Sequence, residues 1–187
     1  MKIYLASASP RRHQLLKQIG IECEIFQADI DETPLTNEAA DAYVQRLALA
    51  KTRAVVALLE KPAMPVLGAD TAVVCGETLL GKPTNADHAF QMLKQLSNKT
   101  HQVMTAVALF NPLQNNFLTT LHISDVSFDL LSDQQIYDYL KTEEPFDKAG
   151  GYAIQGLAAT FIKEIKGSYS GVMGLPLFET AALLKQL

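Results

Sequence analysis

Short apolar runs alternate with stretches whose apolar residues recur every third or fourth position, a pattern that predicts a mixed α/β chain. Ile3–Ala6 is an apolar strand that runs into Ser7-Ala8-Ser9-Pro10-Arg11-Arg12. Ser9 suits a helix N-cap and Pro10 the first helical position, while Leu15, Leu16 and Ile19 share a face and Gly20 stands where the helix would stop. Glu22–Ala28 reads as a strand, Asp29–Thr36 as an acidic loop, and Glu38 to Leu59 as a long helix. In that helix Val44, Leu47, Ala48, Lys51, Val55 and Leu58 form one stripe. Pro65–Ala69 is a buried strand ending at Asp70, Thr71–Cys75 continues extended, and Gly76-Glu77 is a hairpin turn. Gly81-Lys82-Pro83 is a loop, and Thr84 or Asn85 caps a helix reaching Leu96.

Gln102–Phe110 and Leu118–Phe128 are long strands, and Ser132 with Gln135 forms a capping box for a helix to Lys141. Glu143–Gly156 is loop-rich, Ala159–Ile165 a strand, Gly167–Gly171 a loop, and Gly174–Gln186 holds the last helix. Repeats, low-complexity tracts and linkers are absent, so residues 1–187 are expected to form one domain around a mostly central sheet, with room for two lobes.

Composition narrows the class. With 48% hydrophobic and 19% charged residues the chain is ordinary globular material. Its net charge of −4 argues against a partner that is a nucleic-acid polymer, but local cations leave a nucleotide enzyme open. Cys23 and Cys75 form no C-x-x-C pair, which suggests a reduced, cytoplasmic setting. His13, His88, His101 and His122 lack the i,i+4 spacing of a zinc site. A signal-peptide core is not evident, and no apolar run nears the ~20 residues of a membrane span, so a membrane partner is not expected.

Candidate chemistry gathers at few places. The strand-to-helix junction at Ser7, Ser9, Arg11 and Arg12 offers hydroxyls, guanidiniums and helix N–H groups to an anion such as phosphate; a capped surface helix with two solvated arginines is the competing reading. Asp70 ends a buried strand, where an acid holds a metal, orients water or merely shapes a turn. Glu32 adds carboxylate from the acidic loop, and Lys82 adds a cation on a rigid turn. Lys51 lies on the apolar stripe, so it either snorkels to water or points into a polar cleft. Asp147 and Lys148 read as a surface ion pair, and Gln155 beside Gly156 as a carboxamide where backbone approaches a ligand. The P-loop, dinucleotide-loop and G-x-S-x-G patterns are missing.

Taken in order, L-A-S-A-S-P-R-R, D-E-T-P, G-A-D-T, G-K-P, D-K-A-G-G-Y-A-I-Q-G and G-S-Y-S-G-V-M-G-L-P-L resemble the Maf family of nucleoside triphosphate pyrophosphatases, from residue 3 to about 178. The resemblance implies an elongated mixed sheet flanked by helices, in two lobes with a cleft, like inosine triphosphate pyrophosphatase. It is closest to the branch acting on dTTP and UTP, and implies water attack on the α-phosphate with release of pyrophosphate. It implies Asp70 as proton acceptor, Arg11, Thr71 and Gln155 as selectors of the base, and Ser7, Ser9, Arg12, Glu32, Lys51 and Lys82 as lining the substrate site. A divalent cation, Mg²⁺ or Mn²⁺, on Glu32 and Asp70 suits a polyanionic substrate. A homodimer is a further family-based expectation. A non-catalytic nucleotide-binding regulator linked to septum formation is the alternative function.

Overall fold

The structure is a computed structural model and describes residues 1–187 apart from Ala28. The described residues form a seven-stranded mixed sheet of order β2-β1-β3-β5-β6-β7, with β4 paired to β3. The strands are β1 (Lys2–Ala6), β2 (Glu22–Phe26), β3 (Val66–Cys75), β4 (Thr78–Leu80), β5 (Thr100–Asn111), β6 (Asn116–Phe128) and β7 (Ile162–Lys166). The helices are α1 (Pro10–Gln18), α2 (Ala40–Leu58), α3 (Ala86–Leu96), α4 (Asp133–Leu140), α5 (Tyr169–Val172) and α6 (Leu177–Leu184). Single 3₁₀ turns lie at Glu144–Asp147, Ala149–Gly151 and Leu157–Phe161.

The chain divides into two compact units; three of the divisions fall within β3, β5 and β6 and the fourth between α5 and α6. The first comprises Met1–Asp70, Thr105–His122 and Gly174–Leu187, and the second Thr71–Met104 and Ile123–Met173.

In the first unit β1 pairs in parallel with β2 and with β3, the latter through Tyr4↔Val66, Leu5↔Leu67 and Ala6↔Gly68. Ala6, Val55, Val66 and Phe110 form a small apolar cluster with Tyr4, Phe26, Leu59 and Phe117 against it. Helix α2 buries Val44, Leu47, Ala48, Thr52 and Val55. Leu58 leaves the expected stripe and is 64% exposed, while Leu59 packs against the cluster instead. At 3.6 residues per turn the buried line drifts by a position over so long a helix.

Gly68 permits close contact between α2 and β3. A Cβ there would stand 2.4 Å from Thr52 Oγ1 and 2.9 Å from the Ala48 carbonyl oxygen. Gly68 and Asp70 are two residues apart on one strand, so both face the helix.

The second unit has an apolar core that includes Val73, Leu93, Leu96, Val126, Phe128, Ile136, Tyr139, Tyr152 and Phe161. His101 is buried there, 2.7 Å from the Tyr152 hydroxyl through Nε2, with Phe128 edge-on to its ring. The β3–β4 hairpin turns at Gly76-Glu77 with Gly76 at φ 62°, as the dipeptide predicts. Asn85 rather than Thr84 caps α3, accepting from the His88 N–H at 2.8 Å, and the Ser132/Gln135 capping box is present.

Several boundaries differ from the sequence reading. The strand expected at Ala159–Ile165 begins only at Ile162. Leu157–Phe161 is a 3₁₀ turn because Ala159 N–H bonds Gly156 O and Phe161 turns inward to the core. The loop expected at Gly167–Gly171 contains one helical turn, capped by Ser168 Oγ accepting from Gly171 N–H at 3.0 Å. Strand β2 stops at Phe26, and the Ala28 end of the expected strand lies outside the described residues. The last helix is shorter than Gly174–Gln186, since Pro176 serves as its N-cap.

Candidate active site

Strand β1 hands the chain to α1 through Ser7, whose hydroxyl organises the junction. Ser7 Oγ accepts from Ser9 N–H at 3.2 Å and from Arg12 Nη1 at 3.0 Å. Arg12 Nε donates to the Gly174 carbonyl at 2.8 Å, so the guanidinium is held from two directions. Ser9 occupies the N-cap position, but its hydroxyl makes no cap bond. The expected capping role of that side chain is therefore not realised, and the first-turn N–H groups are not taken up by it. Burial works against the charge of Arg12, whereas Asp70 and Glu32 support it and Arg11 opposes it.

Asp70 is not at the end of a strand. It lies within β3, which runs unbroken from Val66 to Cys75. The β-branched run after Thr71 prolongs the strand, and pairing of Val73–Cys75 with β4 holds it extended. The carboxyl end that matters belongs to β1: its last partner on β3 is Gly68, and Asp70 lies two residues past it.

Lys51 resolves its two readings in favour of the polar site. Its side chain is only 14% exposed, and Nζ lies 2.7 Å from Asp70 Oδ1 and 2.7 Å from Glu32 Oε1. One ammonium thus joins two carboxylates that are far apart in sequence. Asp70 itself is 7% exposed. Burial pushes its carboxyl above the usual range and Glu32 adds to this, while Lys51 and Arg12 pull it back. An acid raised in this way has a better matched affinity for a proton taken from water.

The loop carrying Glu32 is fastened to α2 by residues the sequence reading passed over. Tyr43 Oη donates to the Glu32 carbonyl at 2.9 Å, and Arg46 Nη2 to the Thr33 carbonyl at 3.2 Å. Arg46 also grips Glu38 through two bonds of 2.6 and 2.7 Å, and Glu38 accepts from Leu35 N–H at 3.0 Å. Glu38 is held well below its usual range, at about 2, chiefly by its bond to Arg46. The available signal was a glutamate just before a helix with an arginine two turns inside it.

The second unit holds Thr71, Lys82 and Gln155. Thr71 follows Asp70 directly and points to the opposite face of β3. Lys82 and Gln155 are exposed, and no hydrogen bond or ion pair holds either side chain among the described residues. The backbone beside Lys82 is nevertheless tied to the segment that leads to Gln155. Gly81 O accepts from Gly150 N–H at 3.0 Å, and Gly150, at φ 71°, packs so near Val73 that a Cβ would stand 3.0 Å from Cγ1. The Asp147–Lys148 pair is present, but Lys148 is mostly covered and also donates to the Glu144 carbonyl at 2.9 Å.

Among the described residues no group of three or more His, Cys, Asp or Glu side chains is placed to hold a metal ion. Glu32 and Asp70 are a two-carboxylate set already gathered about one cationic group. That donor chemistry fits a hard divalent cation that completes its shell with substrate oxygens rather than with an all-protein cage. Among the described residues no helix is long and apolar enough to cross a membrane.

Comparison with known proteins bears on this arrangement. Curated relatives named dTTP/UTP pyrophosphatase are similar to the chain. That of Aromatoleum aromaticum is 49% identical over 98% of this chain and 94% of its own length. That of Escherichia coli is 50% identical over 97% of this chain and 91% of its own, and that of Xanthomonas axonopodis pv. citri 49% identical over 97% and 96%. Among solved structures, the Staphylococcus aureus Ham1 protein aligns with 68% of this chain and 72% of its own, at TM-score 0.46 and 14% identity. The family described as Maf-like protein matches residues 2–187, end to end with the six motifs, and the chain belongs to that family.

Proposed function

We propose that this chain hydrolyses UTP and dTTP to the nucleoside monophosphate and pyrophosphate, clearing such nucleotides, canonical or modified, from the cellular pool. The relatives named dTTP/UTP pyrophosphatase supply the substrate class. The observation that carries the reading on this chain is the buried Asp70 carboxylate, set against Lys51 with Glu32 on the same ammonium and Arg12 nearby. A pure nucleotide binder has no need of a buried carboxylate beside its phosphate-binding cations.

In this reading Asp70 takes a proton from the water that attacks the α-phosphate. Ser7, Ser9, Arg12, Lys51 and Lys82 bind the triphosphate oxygens, and the cations among them stabilise charge that develops on the leaving pyrophosphate. Lys51 has a third N–H beyond its two carboxylate partners to offer a phosphate oxygen. Glu32 and Asp70 would hold Mg²⁺ or Mn²⁺. When bound, that ion neutralises phosphate oxygens and makes water more acidic. Arg11, Thr71 and Gln155 select the base. The two cysteines are free thiols, in keeping with a cytoplasmic enzyme. A homodimer is proposed on family grounds alone.

The test is to incubate the purified protein with UTP, dTTP, CTP and GTP in the presence of Mg²⁺ and to separate the products by ion exchange. Pyrophosphate and monophosphate are expected from the first two. A nucleoside diphosphate with orthophosphate as primary products would overturn the proposal.

A further inference from the structure

The turn that carries Gln155 is held at its far foot by one side-chain pair. Gly156 N–H bonds the Ala153 carbonyl at 3.0 Å, which places Gln155 at the tip of a tight turn. Just past the turn, Leu157 N–H donates to Glu144 Oε2 at 3.0 Å. The other oxygen of that carboxylate, Oε1, accepts from Tyr139 Oη at 2.8 Å.

Steric fit reinforces the bonds. A Cβ on Gly156 would lie 2.1 Å from Glu144 Oε2 and 2.2 Å from Oε1, so the carboxylate rests directly on the glycine. Glu144 is fixed in turn: Lys148 Nζ donates to its carbonyl, and Glu143 before it adopts φ 58°, a left-handed conformation uncommon for a side chain of this kind. Tyr139 is buried in the apolar core. The turn is therefore tied to a rigid element, although the Gln155 side chain itself is free and exposed. An exposed carboxamide discriminates between bases only if its backbone is fixed, because side-chain freedom blurs donor and acceptor positions.

We infer that Tyr139 and Glu144 form a positioning pair that fixes the Ala153–Gly156 turn and so sets how sharply Gln155 distinguishes uracil and thymine from other bases. The inference rests on the proposed function and adds two residues to it.

Kinetic constants for UTP and CTP in the wild type, Tyr139→Phe, Glu144→Ala, Glu144→Gln and Gln155→Ala provide the test. Glu144→Ala and Tyr139→Phe are expected to lower the UTP-to-CTP ratio of kcat/KM by about tenfold, mainly through KM for UTP. Glu144→Gln keeps an acceptor for Leu157 N–H and is expected to retain most of the ratio. Adding Gln155→Ala to Glu144→Ala should lower the ratio no further than Gln155→Ala alone. Amide hydrogen exchange at Gly156 and Leu157 reads the clamp without reference to turnover and should accelerate in both disruptive variants. If the amides lose protection while the ratio holds, the pair is merely structural and the inference is overturned. If the wild type itself releases no pyrophosphate from UTP or dTTP, the function proposal fails first, and that outcome is distinct.

Discussion

The two units secure their candidate residues in opposite ways. In the first, charged groups hold one another: Lys51 joins Asp70 to Glu32, and Arg12 is braced by Ser7 and the Gly174 carbonyl. In the second, no bond holds the side chains of Lys82 and Gln155 among the described residues, and only backbone near them is tied, through Gly81–Gly150 and the bond of Leu157 to Glu144. Buried charge must be compensated before substrate arrives, because an unpaired ion in a covered site is costly. An exposed amide or ammonium carries no such penalty and can wait for its ligand. Groups of the first kind should affect stability and turnover together, and groups of the second kind turnover or selectivity alone.

The largest effect is expected at Asp70. Asp70→Asn keeps the shape but removes the proton acceptor, and kcat should fall by at least ~10²-fold. Burial opposes the charge of Asp70, so the melting temperature should rise. A folded variant retaining more than about a tenth of wild-type kcat would remove Asp70 from the chemistry and break the contrast at its centre.

Gln155→Glu comes next. The carboxylate accepts only and should repel the O2 and O4 edge of uracil and thymine. A mismatched buried group costs roughly 1–3 kcal/mol, or about one to two decades in kcat/KM for UTP and dTTP relative to GTP. Ratios among UTP, dTTP, CTP and GTP that do not move would show that Gln155 does not read the base.

Lys51→Ala and Lys82→Ala sharpen the comparison directly. Both should raise KM for the triphosphate by about an order of magnitude, the scale of one lost charge-assisted bond. Only Lys51→Ala should also shift the melting temperature, since it alone is built into a buried network. Equal shifts in both variants would erase the distinction between the units.

The smallest effect on turnover is expected at His101, which lies in the core. Burial lowers its pKa from 6.5 to about 4. The unfolded chain therefore binds the proton more readily than the folded one between those values. Stability is full above pH 6.5, declines as pH falls toward about 4, and levels below it. Urea unfolding across that range should show the decline in the wild type and a flatter profile in His101→Phe. An equally steep profile in the variant would assign the acid sensitivity elsewhere.

Much of this was legible from residue patterns. Local signals carried their information within a few residues: the Pro10 start of α1, the Gly76-Glu77 hairpin and the Ser132/Gln135 box all stand in the structure. The helix stripe correctly marked Lys51 as unusual but could not choose its partner, because Asp70 and Glu32 lie in other elements. Asp70 was misread as a strand end because its acid interrupts an apolar run, and periodicity cannot tell an interruption from a stop. Tyr43, Arg46, Tyr139 and Glu144 escaped for a related reason. Their importance lies in groups they hold in other elements, and only the Glu38–Arg46 spacing hints at such a contact.

Gly68 has a consequence of another kind. Its missing side chain is, in mechanical terms, a gauge block of zero thickness between α2 and β3. Thr52 and Ala48 rest against that gap. Lys51 precedes Thr52 by one residue and Asp70 follows Gly68 by two, so both inherit the setting. A methyl inserted at the joint would have to lift the helix, and the misfit would be transmitted to the ammonium–carboxylate contact. A position with no chemistry of its own thus governs the tolerance to which the acid is aligned.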